Sequence, residues 1–210
     1  MAKMIDKLPE YEGEKKVWDC FSKNLPQQYV VYNTRSIKGW EYDFCVMAEN
    51  VGLFIIEVKG WLPQNIFNVV GEDAIILSGE EQPQSSPRKQ ARGYRFNMIN
   101  LLKQELGMNP LVMDLVCYPM ISKNEYLEKR LDIVSDETET IFKEDLEDSA
   151  LLFQKLIGRY NINKSTPHDI LDAKRFALIR HHFEPNFDLK ESEENLNPVS
   201  YTHLRAHETG

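Results

Sequence analysis

The sequence is poor in the residues that mark secreted, disulfide-bonded or zinc-binding proteins. Its three cysteines, Cys20, Cys45 and Cys117, form an odd and widely spaced set, which predicts neither a disulfide framework nor a zinc site. No run approaches the roughly 18 apolar residues of a membrane helix. Residues 1–14 are charged and lack the apolar segment of a signal peptide. We therefore expect a cytoplasmic protein whose cysteines fill the core.

Positive charge is also scarce, because 25 Lys and Arg face 33 Asp and Glu, a net charge of −8. Residues 1–110 hold 13 basic and 14 acidic side chains, whereas residues 111–197 hold 11 and 18. An acidic chain does not attract nucleic acid through its overall charge, so any such contact must come from a local patch.

The patterns of apolar and turn-forming residues predict an α/β fold. A hydrophobic fraction of 42% over 210 residues is sufficient for one domain with a sizeable core. We predict helices at residues 10–25, 87–106, 144–160 and 168–183, and strands at residues 29–32, 41–47, 53–59, 65–70, 74–77 and 111–121. Strands flanked by helices in this order indicate a mixed central sheet with helices on both sides.

The chain divides into three predicted parts. Residues 1–125 form the sheet-containing domain, and residues 126–187 form a helical extension packed on it or following it. Residues 188–210 are an acidic linker and a tail. The tail, residues 198–210 (PVSYTHLRAHETG), resembles a translated sequencing-adapter read-through. We therefore expect the natural sequence to continue past about Asn197 with different residues.

Two charged residues end an otherwise apolar strand. Side chains alternate between the faces of a strand, so Glu57 and Lys59 share the face of Leu53 and Ile55. On the surface, Glu57 and Lys59 would be an ordinary ion pair. In a buried strand, each charge needs a partner or a metal ion.

The preceding strand brings a second carboxylate towards Glu57. If Asn50 is the centre of the turn, Met47 faces Leu53 and Asp43 faces Glu57. Opposite side chains would then be about 4.5–5.5 Å apart at Cβ. Two carboxylates at that spacing repel each other unless a cation lies between them, and a divalent cation with oxygen ligands fits the gap.

The first predicted helix contributes a third acid. Glu14 falls within the apolar stripe formed by Val17, Trp18, Phe21 and Leu25. A carboxylate that points to the core indicates a site. The alternative is that Glu14 lies in the first turn and interacts with the helix dipole.

The helix that begins at Pro87 presents two different faces. Gln90 and Tyr94 are spaced i and i+4 and share one face. A separate basic stripe comprises Arg88, Arg92 and Arg95. The stripe is either a solvated helix face or a flank that contacts the phosphates of a nucleic acid.

These residues, in this order, resemble the nuclease-related domain (NERD) of the PD-(D/E)XK nuclease superfamily. The resemblance covers roughly residues 10–120. Its motifs are Glu12-Gly-Glu14, Glu41-Tyr-Asp43-Phe, Gly52-Leu-Phe-Ile-Ile-Glu57-Val-Lys59-Gly-Trp61, Ser86-Pro-Arg-Lys-Gln90, and the Q-x-x-x-Y element from Gln90 to Tyr94. One departure is Tyr42, which stands where the superfamily motif has a proline before Asp43.

The resemblance implies a restriction-endonuclease-like fold and a metal-dependent nuclease acting on DNA in its processing or repair. By this resemblance, Asp43 and Glu57 are ligands of Mg²⁺ or Mn²⁺. Lys59 orients the attacking water or stabilises charge on the phosphate. Glu14, Gln90 and Tyr94 complete the catalytic set.

Three alternatives stay open. The domain could bind nucleic acid without cutting it, or Glu57 and Lys59 could be a structural ion pair. Relatives of this domain are often fused to helicase cores, so the chain could also belong to a larger helicase or ATPase. Residues 158–165 approach a phosphate-binding loop but have Asn163 in place of its second glycine, so we predict no motor motif.

Overall fold

The computed structural model describes residues 1–37 and 39–187 and has the predicted α/β class. The strands are β1 (Lys3–Met4), β2 (Val30–Ile37), β3 (Trp40–Ala48), β4 (Gly52–Val58), β5 (Ile66–Val70), β6 (Ala74–Leu77), β7 (Gln84–Ser85), β8 (Val112–Cys117) and β9 (Thr140–Ile141). The helices are α1 (Glu12–Asn24), α2 (Pro87–Leu106), α3 (Lys123–Glu128), α4 (Lys143–Glu147), α5 (Ser149–Asn163) and α6 (Ala173–Phe183). The predicted linker and tail, residues 188–210, lie outside the described residues.

The central sheet has the order β1-β2-β3-β4-β8-β9. Strand β3 runs antiparallel to both β2 and β4, whereas β1 runs parallel to β2, and β4, β8 and β9 run parallel to one another. The predicted mixed sheet is therefore confirmed, with β4 at the junction between its antiparallel and parallel halves.

Strand β4 is buried along its whole length because helices cover both faces of the sheet. On one face, Phe54 and Ile56 pack with residues of α1 and α5, including Val17, Phe21 and Leu156. On the other, Leu53 and Ile55 pack with residues of α2 and α6, including Met98, Leu102 and Ile179. The apolar run before Glu57 thus forms the centre of two cores, and its end meets both α1 and α2.

The turn before β4 requires glycine at Gly52. Its φ of +143° is in a region that L side chains rarely adopt, and a Cβ there would lie 2.3 Å from the carbonyl oxygen of Leu111. This close approach accompanies a 2.9 Å hydrogen bond from the Leu53 N–H to the same oxygen. The turn therefore fixes β4 against both β3 and the start of β8.

A small antiparallel sheet, β5-β6-β7, follows the site-bearing strand. Its residues Ile66, Ile75 and Leu77 pack with Ala91 of α2 and with Tyr118. The strands predicted at residues 65–70 and 74–77 correspond to β5 and β6, but no strand is predicted at Gln84 and Ser85. The short pairing of β7 with β6 corrects that part of the prediction.

The C-terminal elements differ from the predicted helices. The predicted helix 144–160 is two helices, because the Asp148 side chain accepts hydrogen bonds from the N–H groups of Ala150 and Leu151 and begins a new helix, α5. The last helix begins at Ala173 rather than at residue 168, because the Asp172 side chain caps its first turn. Residues 126–187 also contribute β9 to the central sheet.

The three cysteines are buried free thiols, in agreement with their predicted place in the core. Among residues 1–37 and 39–187, no helix combines the length and apolar character that a membrane crossing demands.

Candidate active site at the end of strands β3 and β4

The register of β3 against β4 agrees with the prediction from the turn at Asn50. Cys45 pairs with Ile55 and Met47 with Leu53, and the described ladder ends at Phe44 and Ile56. Asp43 is therefore the first residue of β3 beyond the ladder. Its Oδ2 accepts a 2.6 Å hydrogen bond from the backbone N–H of Val58. The Asp43 carboxylate thus accepts the hydrogen bond from Val58 that a backbone carbonyl of β3 would otherwise accept, and it lies at the end of β4.

Glu57 is a buried carboxylate with one oxygen paired and one unpaired. Its side chain is 5% exposed, and its Oε1 accepts a 2.6 Å hydrogen bond from Lys59 Nζ. Its Oε2 is buried and has no hydrogen-bond partner among the described residues. Burial raises the pKa of Glu57, and the Lys59 ammonium opposes that rise. The unpaired oxygen leaves the site with an unused acceptor for a hydrogen-bond donor or a cation.

Asp43 and Glu57 are close enough to influence each other. Burial, followed by the charge of Glu57, raises the pKa of Asp43 to about 7, against the opposing effects of the Val58 N–H and Lys59. The structure therefore brings both predicted carboxylates together beside the predicted lysine.

Lys59 is held from both its backbone and its side chain. Its N–H donates to the carbonyl oxygen of Cys117 over 2.8 Å, which ties it to the end of β8. Its Nζ binds Glu57 and lies 5.8 Å from the centre of the Trp61 ring. The Lys59 side chain is 17% exposed. Its positive charge opposes the rise in the pKa values of Asp43, Glu57 and Glu14.

Helix α1 delivers Glu14 to the same carboxylates through a contact between two glycines. A Cβ on Gly13 would lie 2.7 Å from the Cα of Gly60, so α1 approaches the segment after Lys59 more closely than a side chain allows. Burial, then the charges of Asp43 and Glu41, raise the pKa of Glu14 to about 7. Glu14 therefore lies close enough to Asp43 for their charges to interact, and its catalytic role stays a prediction.

Helix α2 places Tyr94 near the carboxylates of the site. Burial and the charges of Glu57, Asp43 and Glu41 raise the pKa of Tyr94 to about 12. Gln90 lies one turn before Tyr94, and its Oε1 is buried without a hydrogen-bond partner in the described part of the chain. A neutral phenol therefore lies near the carboxylates, whereas the role of Gln90 at the site stays a prediction.

Two neighbours of the site are not among the residues predicted from the sequence. Glu41 acts electrostatically on both Glu14 and Tyr94, and Trp40 contacts the Tyr94 ring with 6.5 Å between centroids. The sequence did contain a signal for Glu41, because it lies two residues before Asp43 in the same motif and therefore on the same face of β3. Trp40 has no such signal, because its contact depends on the distant helix α2.

The basic stripe on α2 is engaged by acids. Arg88 pairs with Glu72 and Asp136, and Arg92 pairs with Asp114 and Glu139. Arg95 donates from Nε to the carbonyl oxygen of Val112 and lies 3.5 Å from Asp114. A phosphate would have to displace these carboxylates, so the ion pairs favour the structural interpretation. The phosphate-contact role stays a prediction.

The buried carboxylate of Asp114 on β8 forms ion pairs with three arginines, Arg92, Arg95 and Arg159. Asp114 is 1% exposed, and Arg159 of α5 donates to its backbone carbonyl oxygen as well. Glu139 pairs with the same Arg159 and with Arg92. These contacts join α2 and α5 to the edge of β8, and sequence analysis does not predict them because their partners are far apart in the chain.

Comparison with known proteins identifies one family. The model of the family described as the nuclease-related domain, NERD, matches residues 9–119. This range begins just before α1 and ends just after β8, so it contains every residue of the candidate site. No curated protein and no solved structure matches the chain.

The glycine contact between α1 and Gly60 should be sensitive to one methyl group. We expect Gly13→Ala to lower the free energy of unfolding by about 1–3 kcal/mol, because the added Cβ meets backbone. Urea unfolding measures this change. Gly158→Ala in α5 is the control, since its Cβ meets nothing within 4 Å, and alanine should stabilise that helix by up to ~1 kcal/mol. A Gly13→Ala protein as stable as the parent would contradict the close approach.

The raised pKa values of Glu14 and Asp43 should make the protein less stable as pH rises. The folded state holds these protons more tightly than the unfolded chain, so the free energy of unfolding should fall between about pH 5 and about pH 8. Glu14→Gln should reduce this slope and stabilise the protein at the upper end. Urea unfolding across this range tests both statements in metal-free buffer.

The control for this pH dependence is Glu12→Gln. Glu12 is exposed and pairs with Lys15 on the outer side of α1, so its replacement should leave the slope unchanged. Equal slopes for the parent and Glu14→Gln would show that Glu14 does not contribute to the electrostatics of the site.

Proposed function

The chain belongs to the nuclease-related domain family, and from this premise we propose that it hydrolyses phosphodiester bonds of nucleic acid in a metal-dependent reaction. The proposed substrate is DNA, in its processing or repair. The proposed site is of the PD-(D/E)XK type, with Asp43 and Glu57 as metal ligands and Lys59 beside them. The proposal extends the family relationship to a specific chemistry at named residues.

One observation carries the proposal, namely two carboxylates that converge at the end of β4 with a single ammonium beside them. Burial and the charge of Glu57 raise the pKa of Asp43, and Lys59 binds only one of the Glu57 oxygens directly. A purely structural ion pair would not explain why Asp43 is placed next to Glu57, since burying like charges together is unfavourable. A cation between them removes that cost.

The donor set fits a hard divalent cation such as Mg²⁺ or Mn²⁺. In the described part of the chain, no three His, Cys, Asp or Glu side chains form a group able to hold a metal ion. Asp43 and Glu57 therefore need a ligand of another kind. The buried, unpaired Gln90 Oε1 supplies an amide oxygen, which such ions accept together with water.

The protein's own residues have distinct roles in this proposal. A bound divalent cation supplies Lewis acidity and promotes the deprotonation of water. Lys59 places a fixed positive charge where negative charge accumulates on the phosphoryl oxygens. Glu14 completes the carboxylate set from α1, and Gln90 and Tyr94 border it from α2. Because burial keeps Tyr94 protonated, its hydroxyl can donate a hydrogen bond to a phosphate oxygen at neutral pH.

A non-cleaving nucleic-acid-binding module is the second candidate. It is favoured by the absence of any three-residue His, Cys, Asp or Glu metal group among the described residues. In this alternative, the Lys59–Glu57 contact is an ion pair that stabilises the end of β4. Attachment of such a module to a helicase or ATPase stays a prediction.

Cleavage should depend on Lys59. We expect the parent protein to cut DNA in the presence of Mg²⁺, and Lys59→Ala to reduce the rate by about a hundredfold to a thousandfold, because a preorganised positive group is lost. Lys23→Ala is the control, since Lys23 is exposed and pairs with Asp19 near the C-terminal end of α1. Equal cleavage by the parent and Lys59→Ala would contradict the proposal. No cleavage by the folded parent would favour the non-cleaving module.

Metal binding should require both strand carboxylates and should compete with protons. Calorimetry at about pH 8 should show Mg²⁺ binding to the parent, and Glu57→Gln should abolish it. Binding should weaken as pH falls through about 7, where Asp43 takes up a proton. Glu128→Gln, at an exposed position of α3, should bind as the parent does. Binding that survives Glu57→Gln would place the ion elsewhere.

A further inference from the structure

Trp40 and Tyr94 form an aromatic pair at the edge of the candidate site. The Trp40 side chain is 60% exposed although it is one of the largest apolar groups in the chain. Its ring lies 6.5 Å from that of Tyr94, in an edge-to-face arrangement with 61° between the planes. The pair therefore presents an uncovered aromatic surface, supported from α2 by a second ring.

This pair borders the carboxylates on the α2 side of the sheet. Tyr94 is close enough to Glu57, Asp43 and Glu41 for all three to act on its hydroxyl group. Trp40 contacts Tyr94 directly, so a molecule that covers the Trp40 ring lies next to the phenol on which these carboxylates act.

Charge at this position does not favour the phosphate backbone of a nucleic acid. Four acids, Glu14, Glu41, Asp43 and Glu57, surround this position, and Lys59 is the cation that acts on Glu14, Asp43 and Glu57. The arginines of α2 are already bound to acids. A polyanionic strand therefore needs a favourable contact that does not depend on its phosphates. Stacking of a base on an aromatic ring provides such a contact, because every base has an uncharged face.

We propose that Trp40, supported by Tyr94, is a base-stacking platform that directs the site to single-stranded nucleic acid in preference to duplex. This inference rests on the proposed function for its ligand class and adds a specificity residue to it. Bases inside a duplex are covered on both faces by their neighbours, whereas an unpaired strand can place a base on Trp40 and the adjoining phosphate near Lys59.

Binding without cleavage tests the platform. Fluorescence anisotropy in EDTA would compare a labelled oligothymidylate, an abasic strand with the same number of phosphates, and a duplex of that length. The parent should bind oligothymidylate more tightly than the other two. Trp40→Ala should weaken oligothymidylate binding by roughly fivefold to a hundredfold and leave abasic-strand binding unchanged. Trp40→Phe should retain most of the affinity.

Phe67→Ala is the matched control, because Phe67 is a 74% exposed aromatic residue on β5. It should bind all three probes as the parent does. Equal binding of oligothymidylate by the parent and Trp40→Ala, equal affinity of the parent for the abasic strand, or no binding at all would overturn the platform.

The two proposals fail separately. Trp40-dependent binding by a protein that never cleaves would contradict the nuclease alone. Lys59-dependent cleavage that is indifferent to Trp40 and to strandedness would contradict the platform alone.

Discussion

The site depends on two carboxylates that are held together where strands β3 and β4 separate. Asp43 leaves the ladder and binds the Val58 N–H, while Glu57 continues the buried face of β4. Neither side chain can move far into water, because one is fixed by the backbone and the other is enclosed by the core. Lys59 provides one positive charge for these two carboxylates. In the proposed reaction, a bound cation provides the positive charge that is still needed.

The rest of the fold places further groups around this pair. The close contact between Gly13 and Gly60 brings Glu14 from one side of the sheet, and α2 brings Tyr94 from the other. The ion pairs of Asp114 and Glu139 with arginines of α2 and α5 attach these helices to the edge of β8. The same arginines that a charge pattern suggests for phosphate binding therefore have a positioning role in the structure.

The parts of the fold set by local chemistry were predictable from the sequence. The bounds of α2 follow from Ser86, Pro87 and Gly107, which supply its N-cap, first turn and left-handed C-cap. The register at Asn50 follows from alternation of apolar residues about a short turn, and it brings Asp43 towards Glu57 as expected. What the sequence could not supply are contacts between distant segments. These include the Trp40–Tyr94 pair and the arginine network around Asp114. The Asp148 cap that divides one predicted helix into two is local, so it was a signal in the sequence that the prediction of one continuous helix overlooked.

Anomalous diffraction from crystals soaked in Mn²⁺ locates the ion relative to each carboxylate, and so shows whether Asp43 and Glu57 hold a metal together. We expect a manganese peak between Asp43 and Glu57, at roughly 2.0–2.6 Å from an oxygen of each. A well-ordered site with both carboxylates in place and no peak between them, at a manganese concentration that saturates other sites, would contradict this expectation.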